Sequence, residues 1–185
     1  MRTFLALELP EEFKKEIAEV IQKLQDICPH GIKWVEKNKL HITLQFIGDT
    51  EPRAIKELSD SFATILAELK PFPIFKPLIE IIPPKNTRLV WIKCDFSSSQ
   101  INDVVGKIRF YLKKRGFEID KKPFRLHITL GRVKRFIPLT ITESLTNIAI
   151  NNKQWTVSEA TFYESRLHST GPEYKKIATY NLMEE

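Results

Sequence analysis

The chain has 185 residues, 42% of them hydrophobic, enough to bury a core and form a globular domain. Its formal net charge of +6 favours polyanionic partners such as RNA, DNA, nucleotides or acidic lipid heads, a weak signal by itself. No stretch approaches transmembrane length, and the first ten residues hold only a short apolar run beside Glu8, Glu11 and Glu12, unlike a signal peptide. Cys28 and Cys94 are the only cysteines and belong to no C-x-x-C pair. That excludes a zinc ribbon or thioredoxin-like motif and predicts two buried free thiols in a soluble, cytoplasmic protein.

In chain order, residues 3–9 read as a buried strand ended by Pro10. Glu11 and Glu12 open a helix whose Phe13, Ile17, Val20, Ile21 and Leu24 recur at helical spacing. Residues 40–48 alternate as a strand, and 51–69 form an amphipathic helix with Pro52 in its first turn. Residues 72–82 and 88–93 are predicted strands joined by a turn at Pro83-Pro84-Lys85-Asn86. A helix over 97–115 is entered through serines that can cap it and ended by Gly116. Residues 125–133 repeat the strand pattern, a short helix follows around 140–150, and 154–167 with 173–182 form a closing hairpin around residues 169–172. Paired strands interspersed with helices predict an α+β fold with mainly antiparallel sheets.

The pentapeptide Leu-His-Ile-Thr-Leu occurs twice, at residues 40–44 and 126–130. Each copy follows a helix by a similar distance, the mark of an internal duplication with halves of about 1–95 and 96–185. A duplicated unit packs about a pseudo-twofold axis, which here would make one bilobal domain over 1–185 with the two motif strands facing a central groove. Strand parity places Leu40, Ile42, Leu44 and Phe46 on the core face, and His41, Thr43 and Gln45 on the other. Likewise Leu126, Ile128 and Leu130 face the core while His127 and Thr129 face away. The groove would then hold two imidazoles and two hydroxyls. Histidine is the side chain most easily poised near neutral pH, and two of them can divide acid and base work on a phosphodiester. The threonine hydroxyls can donate to non-bridging phosphate oxygens. A lone strand histidine is normally structural; the matched pair reverses that expectation. Two histidines without Cys, Asp or Glu on the same strands fall short of a zinc set, so no metal and no cofactor are expected.

With these motifs the sequence resembles the two-histidine (2H) phosphoesterases. The branch it looks most like is the RNA 2',3'-cyclic phosphodiesterase or 2'-5' RNA ligase family. The resemblance runs nearly end to end. It includes Arg2-Thr3-Phe4-Leu5-Ala6-Leu7, Trp34-Val35, both motifs, Arg132, Ser165-Arg166-Leu167, Gly171 and Tyr174. It implies a bilobal α+β fold with two mainly antiparallel sheets facing the groove, helices outside, and no metal. It implies that His41 protonates the leaving oxygen and His127 activates water, with Thr43 and Thr129 holding the phosphate. The substrate would be RNA ending in a 2',3'-cyclic phosphate, tRNA fragments included, and the product a 2'-phosphate, with 2'-5' ligation as the same chemistry run with another nucleophile. The protein is expected to be a monomer away from membranes.

Arg132 resembles the family's phosphate-binding arginine. Strict alternation puts it on the core face, but Gly131 tolerates a bulge that shifts parity. Tyr174 either lines the groove or packs the hairpin. Trp34 and Phe46 are core by default, with base stacking as the other reading. Lys33, Lys37, Lys39, Arg125, Lys134 and Arg135 flank the motifs as a basic rim, and His30 and His168 read as exposed. The competing functions are a phosphodiesterase for a small cyclic phosphate such as ADP-ribose 1'',2''-cyclic phosphate, and a nucleotide- or RNA-binding module that uses the groove without catalysis. The latter requires a lost histidine or threonine, and all four are present.

Overall fold

In the computed structural model, residues 1–83, 88–120, 122–169 and 171–183 are described. Strand β1 (Arg2–Glu8) is buried from Thr3 onward, as suits a central strand. Its alternate residues serve two faces: Leu5 and Leu7 enter the main core, while Phe4 and Ala6 form a small cluster with Tyr163 and Tyr174 on the opposite side. Pro10, with φ preset at −54°, leads into α1 (Glu11–Ile27), which buries the expected stripe from Phe13 to Leu24. A three-residue strand β2 (Ile32–Trp34) follows, too short to show a period in sequence. Then come β3 (His41–Asp49), a 3-10 turn at Pro52–Ala54, α2 (Ile55–Leu66), β4 (Phe72–Ile82) and β5 (Leu89–Phe96). Pro84, Lys85 and Asn86 of the turn expected between β4 and β5 lie outside the described residues.

The helix expected from residue 97 begins later, as α3 (Ile101–Lys114). The serines do not cap it: Gln100 precedes the helix already in helical conformation, with no side-chain cap. Burial sets the start, since Ile101 is the first member of the stripe it shares with Val104, Val105, Ile108 and Leu112. Gly116 ends the helix as expected. Its φ is +84°, and Gly116 N and Phe117 N donate to the carbonyls of Lys113 and Leu112, capping orphan acceptors. Next are β6 (His127–Val133), α4 (Leu139–Thr146), β7 (Trp155–Val157), β8 (Glu159–His168) and β9 (Gly171–Asn181). The first arm of the expected hairpin is thus two strands. β7 pairs with β4, whereas β8 pairs with β1 and β9, so the chain changes partners at Ser158. Among the described residues no helix is long and apolar enough to cross a membrane.

The fold is α+β. Its strands run in the order β7-β4-β5-β6-β3-β1-β8-β9, with β2 attached to β6, and every pairing is antiparallel. The two sheets of the expectation are the two halves of this nine-stranded sheet. They are joined at a single Cα pair, Ile42 with Ile128, between the two motif strands. Strands that meet at one pair diverge on either side of it, and this opens the groove. Each half draws strands from early and late in the chain: β1, β3, β8 and β9 on one side, β2, β4, β5, β6 and β7 on the other. The apolar stripes of α1, α2, α3 and α4 share one core with the sheet face that bears Leu5, Ile42 and Ile128, leaving the opposite face for the motif side chains.

Candidate active site

Both motif strands begin at their histidine and carry a β-bulge at the same place. In β3 the register against β1 skips Leu44, since Ala6 faces Thr43 but Leu5 faces Gln45. In β6 the register against β5 skips Leu130, since Trp91 faces Thr129 but Val90 faces Gly131. One extra residue inverts the parity of the residues that follow it, in β3 as far as a second register shift at Ile47. Arg132 is therefore exposed and lines the groove, by the route that Gly131 allows. A Cβ at Gly131 would sit 2.6 Å from Ile32 Cγ2 and 2.9 Å from Trp34 Cε3, so glycine also lets β2 lie close on β6. The same inversion corrects two assignments in β3. Gln45 is buried, and its side chain accepts from Arg109 Nε at 2.8 Å and donates to the Phe46 carbonyl at 2.6 Å. Phe46 is not core; it is 61% exposed and stands in the groove.

His41, Thr43, His127, Thr129, Arg132 and Tyr174 all line one cleft of about 240 Å³, with Lys33, Trp34 and Lys39 along its edge. Antiparallel crossing at Ile42–Ile128 sends His41 and Thr129 toward one end of the cleft, and Thr43 and His127 toward the other. The two imidazoles are held alike. His41 Nδ1 lies 2.8 Å from the Lys39 carbonyl, and His127 Nδ1 lies 2.8 Å from the Arg125 carbonyl. A carbonyl only accepts, so each ring carries its proton on Nδ1 when neutral and presents Nε2 for proton transfer. Thr43 Oγ1 is 3.1 Å from His41 Nε2. Burial lowers both histidine pKa values below the ordinary 6.5, opposed in each by the carbonyl bond and, at His41, also by the Glu8 carboxylate.

Aromatic rings set both imidazoles in place. Trp91 packs on His127 with centroids 4.3 Å apart, and its Nε1 is tied to Glu80 at 2.9 Å. Phe4 lies 5.1 Å from His41, and Tyr174 meets His41 edge-on at 5.5 Å. Tyr174 packs on Tyr163 of its own hairpin, with ring centroids 6.0 Å apart, and on Phe4 of β1, and it also lines the cleft. Burial keeps the Tyr174 phenol raised, hence a donor, although Arg132 and Lys39 oppose this. Behind His41 sits a group that sequence reasoning missed: buried Glu8, bonded by Tyr163 OH and by Lys14 Nζ at 2.9 Å. Burial pushes the Glu8 carboxyl up, but those two bonds outweigh it and hold the net pKa below 4.5. The available signal was the parity of β1, which sets Phe4, Ala6 and Glu8 on the motif face.

Of the expected basic rim, Lys33 and Lys39 line the cleft and Arg125 borders the adjoining cavity. Lys37 instead pairs with Glu11, and Lys134 and Arg135 lie outside the cleft lining. His30 is exposed, and exposed His168 pairs with Glu173. Cys28 and Cys94 are free and buried. Among the described residues no three His, Cys, Asp or Glu side chains gather as a metal set. Two imidazoles, two hydroxyls, a phenol and a guanidinium around one cleft can move protons at an anionic centre and neutralise its charge.

The family described as LigT-like phosphoesterases matches this chain over residues 7–77 and 96–174. A Thermotoga maritima protein named RNA 2',3'-cyclic phosphodiesterase is 30% identical over 96% of this chain and 93% of its own length. An Archaeoglobus fulgidus protein of the same name is 27% identical over 97% and 99%. In fold, a crystal structure of a Thermus thermophilus protein superposes with a TM-score of 0.80 at 24% identity, covering 98% of each chain. The crystal structure of E. coli LigT complexed with 3'-AMP superposes at 0.73 and 20% identity, covering 99% of this chain and 98% of that one.

Proposed function

The chain belongs to the LigT-like phosphoesterase family, and on that premise we propose that it is an RNA 2',3'-cyclic phosphodiesterase that hydrolyses the terminal cyclic phosphate to a 2'-phosphate. His127 Nε2 takes a proton from water as the oxygen bonds to phosphorus. The P–O3' bond breaks on the opposite side, and O3' leaves with the proton of His41 Nε2. Thr43, Thr129 and Arg132 bind the non-bridging oxygens, and Tyr174 flanks His41 and closes the cleft. A 5'-hydroxyl in place of water makes a 2'-5' linkage, and the reverse reaction cleaves one.

The observation that carries this reading is the matched pair of Nδ1–carbonyl bonds, which gives both histidines the same tautomer within one cleft. Lys33 and Arg132 in the cleft lining, with Lys39 there paired to Glu36 at 2.8 Å, support an RNA end as substrate. Equivalent bulges in β3 and β6 support one bilobal domain over 1–185, repeated as halves of about 1–95 and 96–185. The test is to incubate the protein, with EDTA, with an oligonucleotide ending in a 2',3'-cyclic phosphate and identify the product. A 2'-phosphate is expected; a 3'-phosphate, or turnover only on added metal, refutes the mechanism. ADP-ribose 1'',2''-cyclic phosphate, run in parallel, should be the poorer substrate.

A further inference from the structure

A second cavity, of about 460 Å³, opens from the His127 end of the cleft. It shares Thr43, Phe46, Leu89 and His127 with the cleft, and its lining includes neither His41 nor Thr129. Its walls are largely apolar: Phe46, which stands at the junction, then Trp91 and half-buried Phe124. Exposed Lys122 and Arg125 stand at its mouth, with Asp120 3.5 Å from the Lys122 ammonium. Arg109 also borders it, but its guanidinium is engaged by Gln45 and the Lys122 carbonyl.

The volume and its position call for an occupant larger than the attacking water. In an in-line displacement the nucleophile and the leaving oxygen lie on opposite sides of phosphorus. With His41 at the leaving O3', the nucleophile arrives on the His127 side, where this cavity opens. Water needs no such space, whereas a cavity of this size and apolar character suits a small organic ligand.

We infer that this cavity is a second nucleoside subsite, which holds the nucleoside whose 5'-oxygen attacks, or is expelled from, the phosphorus between the histidines. This rests on the assignment of His127 as base in the function proposed above. In the forward sense the 5'-hydroxyl gives its proton to His127, O5' bonds to phosphorus, the P–O3' bond breaks and O3' takes the proton of His41. In reverse, the 3'-hydroxyl gives its proton to His41 and closes the cyclic phosphate, while O5' leaves with a proton from His127. The base of this nucleoside stacks on Phe46 and Phe124, and a phosphate beyond it meets Lys122 and Arg125.

The experiment compares two substrates with the purified chain: adenosine 2',3'-cyclic monophosphate, which needs only the first subsite, and 2'-5'-linked adenylyl-adenosine, which needs both. Phe124→Ala should raise KM for the dinucleotide about tenfold, the scale of one lost base–aromatic stack. It should leave KM and kcat for the cyclic mononucleotide unchanged, and Phe124→Tyr should restore the dinucleotide KM. Should Phe124→Ala fail to fold, Phe124→Leu carries the same comparison. Equal losses on both substrates, or none on either, overturn the subsite. So does a wild-type chain that hydrolyses the cyclic mononucleotide but cannot cleave the dinucleotide, a result that leaves the proposed hydrolase standing. Turnover of neither substrate overturns both.

Discussion

Phe46 and Arg132 occupy the same position in the two motif strands, five residues after His41 and His127. Both turn into the cleft because one extra residue, Leu44 or Leu130, precedes them in the sheet register. The repeat thus places an aromatic ring at one end of the crossing and a guanidinium at the other, on a duplicated backbone irregularity.

That geometry makes Gly131 sensitive. A methyl group there meets Ile32 and Trp34 below normal contact distance. Gly131→Ala should lower stability by about 1–3 kcal/mol, the usual scale of overpacking, and loosen β2 and Trp34 at the cleft edge. Thermal unfolding should show the loss and KM should rise with it. A variant with wild-type Tm and KM would show that β2 adjusts freely.

Removing either imidazole should stop the chemistry and spare the fold. His41→Ala and His127→Ala should each reduce kcat on cyclic phosphate ends by roughly 10²–10⁴-fold. Circular dichroism should be unchanged. A p-nitrophenyl phosphodiester, whose leaving oxygen needs no proton, should depend less on His41 than on His127. The opposite ranking would exchange the two roles.

The rate should be bell-shaped in pH, since one imidazole must be neutral and the other protonated. Burial lowers both, so the maximum of kcat/KM should lie below the ordinary imidazole value of 6.5. Glu8 acts in the raising direction on His41. Glu8→Gln should therefore move the bell further toward acid, through its alkaline limb. An unmoved profile in that variant removes Glu8 from the account. The same lowered values favour the fold above pH 6.5, and this contribution is lost as pH falls through them, so Tm should drop on acidification.

The two thiols should be silent in the native state. Burial pushes Cys94 up to about 12 and also raises Cys28, whose Sγ donates to the His30 carbonyl. A thiol reagent at neutral pH should label neither until the chain is denatured, and then both. Rapid native labelling of one would show that its surroundings open.

What the sequence by itself determined lies within single strands and helices. Period two places His41 with Thr43, and His127 with Thr129, because five residues of unbroken strand settle parity locally. The duplication and the helical stripes were equally legible, because they too are spacings along one chain. The start of α3 was not, since burial of Ile101 rather than a serine cap set it. Beyond Leu44 and Leu130, local parity ceased to suffice. A bulge is a relation between neighbouring strands, so only pairing with β1 and β5 decided that Gln45 is buried and that Phe46 and Arg132 face the cleft. The same holds for β2, which is three residues long and acquires its strand geometry from β6, and for Glu8, whose charge is retained by Lys14 and Tyr163. Tertiary structure also decided the crossing at Ile42–Ile128, since a contact between strands separated by more than eighty residues depends on the packing of the whole sheet.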